Sequence, residues 1–114
     1  MSTQKKPILT LTRNATAVIS KFLAVTAAGA IAAAGADAVG FATQDAAIGE
    51  DFSVDVLGTT TAIAGAALTA GARVQVGTGG KVVAHTTGVS MGILLFGAGA
   101  DQPVEILIDK QPAP

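Results

Sequence analysis

Val39-Gly40-Phe41-Ala42 and Phe52-Ser53-Val54-Asp55-Val56 return 52 residues later as Met91-Gly92-Ile93-Leu94 and Val104-Glu105-Ile106-Leu107-Ile108. The two rows align without a gap. Apolar positions meet apolar positions, Gly40 meets Gly92, and Ala46 between the blocks meets Ala98. Dropping one residue extends the match upstream at an offset of 51: Leu23 meets Val74, Val25 meets Val76, Gly29 meets Gly80 and Ile31 meets Val82. The chain therefore reads as an N-terminal extended arm, 1–17, and a single β domain, 18–109, holding an internal repeat of about 19–57 and 70–108. A flexible tail, 110–114, follows.

The repeat decides a conflict of local signals. Residues 27–38 are alanine-rich and favour a helix on propensity alone. Their counterpart is two β-prone runs, 74–76 and 81–84, on either side of Gly77-Thr78-Gly79-Gly80, the pattern of a hairpin. By equivalence, 23–25 and 30–33 form the matching hairpin, turning at 27–29. Further strands follow from alternation. Phe52, Val54 and Val56 face one way, with Ser53 and Asp55 on the solvated side. Residues 88–96 put Met91, Ile93 and Leu95 on one face. Val104, Ile106 and Ile108 close the chain, with Glu105 outward. Residues 8–12 alternate imperfectly within the arm. Short strands at regular spacing, with Gly, Asp and Thr between them, predict an all-β fold: a small β-sandwich or barrel, β-tulip-like, built from two similar halves. At most one short helix fits, at 45–48 or within 62–70.

Composition narrows the function. The 114 residues suffice for one domain. Of the half that are apolar, 24 are alanine, and Trp and Tyr are absent. Each alanine buries little area, so a chain like this gains stability by burying surface against copies of itself or a partner. The net charge is −1 and only 13% of residues are charged. The one basic cluster, Lys5, Lys6 and Arg13, is too small to neutralise a nucleic-acid backbone, so no direct nucleic-acid contact is expected. With no cysteine there is neither a disulfide nor a thiolate metal site. The uncharged stretch 22–36 is 15 residues of mostly Ala and Gly, too short to span a bilayer and too far from the N-terminus for a signal peptide, so no membrane contact is expected.

No constellation of residues predicts catalysis, a cofactor or a metal. His85 is the only histidine and has no second His or Cys to complete a zinc site. Asp45, Glu50, Asp51 and Asp55 cluster in sequence, but they read as turn and solvated-face residues around a strand rather than a catalytic carboxylate pair or a calcium site. Gly77-Thr78-Gly79-Gly80-Lys81 lacks the Ser or Thr and the helix of a phosphate-binding loop. Lys81 at a hairpin tip also suggests the modified lysine of biotin- and lipoyl-carrier domains, but its neighbours Gly80 and Val82 are not theirs. Asn14-Ala15-Thr16 is a glycosylation sequon only in form.

In order and spacing, the segments Val39-Gly40-Phe41-Ala42, Asp45-Ala46-Ala47-Ile48-Gly49-Glu50, Val54-Asp55-Val56-Leu57-Gly58, residues 64–74, Gly80-Lys81, Gly92-Ile93 and Val104-Glu105-Ile106-Leu107-Ile108 resemble the phage capsid cement (head decoration) proteins of the small alanine- and glycine-rich β type. The resemblance covers about 15–108. Met91-Gly92-Ile93 departs from the Gly-Val-Ala common there. It implies a non-enzymatic virion structural protein, made in the host cytoplasm, that binds the exterior of the phage head at capsomer junctions. Its partners would be the major capsid protein and its own copies, as a homotrimer or, second, a dimer. Lys5, Lys6, Ile8, Leu9, Leu11 and Arg13 of the arm are the expected capsid-binding residues, the apolar ones by adding a strand to an exposed edge. The alternative is another self-assembling structural subunit, of fibre or surface-layer type.

Overall fold

The computed structural model describes residues 7–97 and 99–111. Eight strands follow in chain order: β1 (Pro7–Asn14), β2 (Ala24–Val25), β3 (Gly40–Ala42), β4 (Asp51–Ile63), β5 (Arg73–Val76), β6 (Val82–Ala84), β7 (Ser90–Phe96) and β8 (Pro103–Gln111). All belong to one sheet in the order β2-β3-β4-β8-β7-β5-β6, with β1 beside β4 off this path. The sheet curls into a nearly closed barrel, one of the two all-β forms expected. The only helical element among the described residues is a 3-10 turn at Thr78–Gly80. Neither place suggested for a short helix holds one: Ala46 in the first bridges to Ile19, and Ala62 and Ile63 in the second belong to β4.

The alanine-rich stretch is not helical. Val25 bridges Ile31 antiparallel, Thr26 N–H donates to Ala30 O (2.8 Å) and Gly29 N–H to Thr26 O (3.0 Å). Val76 opposite Val82, Gly77 N–H to Lys81 O (2.6 Å) and Gly80 N–H to Gly77 O (3.3 Å) repeat this pattern 51 residues on. Helix propensity, worth a few tenths of a kcal/mol per residue, loses to a turn that satisfies its own backbone and buries Val25 and Ala32.

The two halves share more than the hairpins. In β1, Thr10, Leu11 and Thr12 lie opposite Asp55, Val54 and Ser53 of β4, while Thr59, Thr60 and Thr61 lie opposite Leu107, Ile106 and Glu105 of β8. Ala15 N–H donates to Glu50 O as Ala64 N–H does to Gln102 O. Phe22 N–H donates to Ala42 O as Gly71 N–H does to Leu94 O, and both Phe22 and Gly71 have positive φ. Strand β1 is thus the counterpart of the C-terminal part of β4, at an offset of 49. The register of 23–25 against β3 also differs from the sequence alignment. Val25 faces Gly40 and Val74, not Val76, faces Gly92, so the second half has two more residues than the first between this pairing and its hairpin turn.

β4 joins the halves. Its first part pairs with β1 and β3 and its last part with β8, and it turns between them at Gly58, whose φ of 91° suits glycine. Each half has its own core. Ile19, Val25, Phe52 and Val54 anchor one, and Val74, Val76, Met91, Leu94 and Ile106 the other, which also takes in Phe41.

Three side chains differ from the expected facing. Asp55, expected on a solvated face, is 1% exposed. Its Oδ1 accepts from Thr10 Oγ1 (3.1 Å) and its Oδ2 from Thr60 Oγ1 (2.9 Å), so the carboxylate ties β1 to the turn in β4. Glu105, expected outward, is 7% exposed, flanked by β4 on one side and β7 on the other. In β7 the buried pair is Met91 and Leu94, with Leu95 exposed, because register shifts at both ends of the strand break the two-residue period. Asp55→Ala is expected to cost about 2 kcal/mol in urea unfolding, since hydroxyls lose a charged acceptor.

Candidate docking surface

The side chains weighed for chemistry act as local braces. His85 Nε2 lies 2.8 Å from Gly88 O. Lys81 Nζ pairs with Asp101 Oδ1 at 2.6 Å. Asp45 Oδ1 accepts from Lys21 N–H (2.8 Å), Glu50 Oε1 from Ala47 N–H (2.7 Å) and Asp51 Oδ1 from Asn14 Nδ2 (3.2 Å). Among the described residues no group of three or more His, Asp or Glu is placed to hold a metal ion.

What the surface offers is apolar. Leu9 faces Leu57 across β1 and β4, Thr59 faces Leu107 across β4 and β8, and Ile93 of β7 faces Leu107 from the other side. Leu9, Leu57 and Leu107 are exposed and Ile93 is half-buried. This row crosses four strands at the junction of the halves. Beside it opens a groove of about 450 Å³ lined by Leu11, Val39, Val56, Leu57 and Ile108, with Asp109 and Lys110 at its polar end. Val56 and Ile108 are counterparts in the repeat, so the groove lies where the two half-barrels meet. Lys110 Nζ bonds Asp37 Oδ1 (2.7 Å) and Ala38 O (3.0 Å), and Arg73 bonds Asp109, holding the end of β8.

A second apolar feature stands at the far end of the first half. Val18 and Ile48 are each 69% exposed, the most exposed large apolar side chains described. The bridge between Ile19 and Ala46 holds their loops together over a shallow cleft of about 330 Å³ whose lining includes Asp45 and Glu50.

Of the arm residues singled out in the sequence, Leu9, Leu11 and Arg13 lie on β1 along the chain's own β4. Leu9 belongs to the exposed row and Leu11 to the groove, while the Arg13 guanidinium Nη1 donates to Thr12 O (2.8 Å). Lys5, Lys6 and the Ile8 side chain lie outside the described residues. Sequence reasoning missed Leu57, Leu107, Val18 and Ile48. The signal for Leu107 was present: it is the outward step in the alternation of Val104, Ile106 and Ile108.

In fold the chain is similar to the N-terminal base of head fiber gp8.5 of bacteriophage phi29, with a TM-score of 0.75, 20% sequence identity, 93% of this chain covered and 98% of that one. No curated protein matches it in sequence. The family model described as phage cement protein matches residues 3–108, from ahead of β1 to within β8. The match spans more than nine-tenths of the chain, and the chain belongs to the phage cement protein family.

Proposed function

We propose that the protein is a capsid cement, or decoration, protein that binds the outer surface of the phage head at capsomer junctions, as a homotrimer, and stabilises the shell against internal DNA pressure. Family membership supports association with the capsid. The observation that carries the finer reading is the exposed row of Leu9, Leu57 and Leu107 beside an apolar groove, on a barrel with little other chemistry to offer. A ligand that binds only the assembled shell stabilises that shell by mass action, and many copies on one lattice multiply a modest contact. In this reading the arm residues Lys5, Lys6, Ile8, Leu9, Leu11 and Arg13 contribute to contacts with the major capsid protein or a neighbouring copy. Leu9 and Leu11 do so from β1, and Lys5 and Lys6 from the segment ahead of it.

The test is binding to expanded, undecorated heads. The wild type should co-sediment with them and raise the temperature at which they release DNA. Leu57→Asp with Leu107→Asp should weaken binding about 100-fold or more, as expected when charge is placed at the centre of an apolar interface, while leaving the fold intact because both side chains are exposed. Wild-type affinity in that variant would refute this docking surface.

A further inference from the structure

The repeat supplies an internal control for the surface. Backbone pairing fixes the correspondence of the two tips: Val18 stands where the second half has Ala67, Asp45 where it has Gly97, Ile48 where it has Ala100 and Glu50 where it has Gln102. The two tips share their hydrogen bonds. Glu50 N–H donates to Ala47 O as Gln102 N–H does to Gly99 O, and Gly49 N–H to Ala15 O as Asp101 N–H does to Ala64 O. The backbone of the tip therefore does not require large apolar or acidic side chains. Nor does burial, since Val18 and Ile48 are 69% exposed. The first half thus holds an apolar pair and two carboxylates that its twin lacks. Asp51 adds a third where the twin has Pro103. The second tip's Asp101 is occupied by Lys81.

Such a tip fits a segment that brings positive charge and apolar side chains together. In this chain the densest positive charge is Lys5-Lys6, followed directly by Pro7-Ile8. We propose that the tip formed by Val18, Ile48, Asp45, Glu50 and Asp51 receives the N-terminal basic segment, residues 1–6, of a second copy. The inference rests on the self-association in the proposed function but not on binding to heads.

The contact must be made between copies. β1 starts opposite Gly58 and reaches the tip only at Asn14, opposite Asp51. Seven residue steps along the strand, Pro7 to Asn14, set these ends about 23 Å apart. Lys5 is two residues ahead of Pro7, a backbone reach of about 7 Å, so even with its side chain extended it falls short of its own tip. Tip and segment lie at opposite ends of one strand, so the contact joins opposite ends of different copies: two antiparallel copies exchange it reciprocally, and a rotation that closes turns it into a ring, the symmetry of a trimer. The charge pairs set partner and register, and Val18 and Ile48 supply the contact area.

The test measures the mass of the full-length protein by sedimentation over a range of concentrations, without heads. The wild type should form a closed oligomer. K5E/K6E should weaken assembly about tenfold or more, as should E50K/D51K, and low salt should strengthen the wild type. Combining the two charge reversals in one chain should restore assembly, which a merely misfolded tip would not allow. Should E50K/D51K fail to fold by circular dichroism, I48S serves in its place, with weakened assembly expected. A monomeric wild type, unchanged assembly in K5E/K6E or I48S, or no rescue in the combined variant overturns the inference. So does a result in which the tip variants assemble normally but lose head binding, which would assign the tip to the capsid. Head binding measured separately on the same variants tells failure of this contact from failure of the proposed function.

Discussion

Gly92→Ala is expected to lower the melting temperature by roughly 10–20 °C, corresponding to about 3 kcal/mol. The strand around Gly92 lies between β5 and β8, with a partner on each edge. A Cβ at Gly92 would overlap the carbonyl oxygen of Leu107 and crowd the backbone nitrogen of Asp109. Those atoms belong to a paired strand, so relief means pulling β7 from β8. Gly40, the counterpart in the first half, meets the carbonyl of Asp55 in the same way, which gives a physical reason for glycine at both places. Gly99→Ala is the control: nothing lies within 4 Å of its Cβ position, and its effect should be within about 0.5 kcal/mol. Thermal unfolding followed by circular dichroism compares the two, and a Gly92→Ala protein that melts with the wild type would show that the strands separate at little cost.

Phe41→Ala is expected to destabilise by about 3–5 kcal/mol, whereas Ile93→Ala at the matching position should cost about 1 kcal/mol. The two residues occupy the same place in the repeat but different environments. Phe41 is fully buried and packs into the core whose large side chains otherwise come from the second half, beside Ala24, Ala32 and Ala38 of its own, while Ile93 is half-buried in the outward row. The ring therefore joins the half-barrels, and removing it leaves a cavity that both must close around. Equilibrium urea unfolding measures both variants. Equal costs would mean that Phe41 holds only its own half.

The sequence made the architecture legible where two copies of a weak signal could be compared. Residues 27–38 alone favour a helix, and the hairpin reading came only from the glycine-rich counterpart at 77–80. Where comparison had less to hold, the reading was incomplete. Thr10-Leu11-Thr12 and Thr59-Thr60-Thr61 share only threonines and their partners, so β1 was read as an arm outside the repeat rather than as the strand matching the end of β4. Asp55 and Glu105 were set on the solvent side by alternation, because period-2 logic assumes one wet face, and a sheet curled round two cores leaves little room for one. Leu95 was placed on one face with Met91 because bulges, which shift the phase, leave no mark in an apolar run. Of the docking surface, Leu9 and Leu11 were named from sequence. Leu107 was marked by alternation but passed over, and Leu57, Val18 and Ile48 carried no signal, since exposure of a leucine or valine there is decided by which strands and loops become neighbours.

Strand β4 belongs to both halves without interruption, running from Asp51 to Ile63 with its turn at Gly58. A tandem array of modules has a linker where a protease can cut or recombination can exchange one unit for another. Here the boundary between units passes through the middle of a hydrogen-bonded strand. The halves are free to diverge residue by residue, as their tips have, but neither can be excised, swapped or inherited alone.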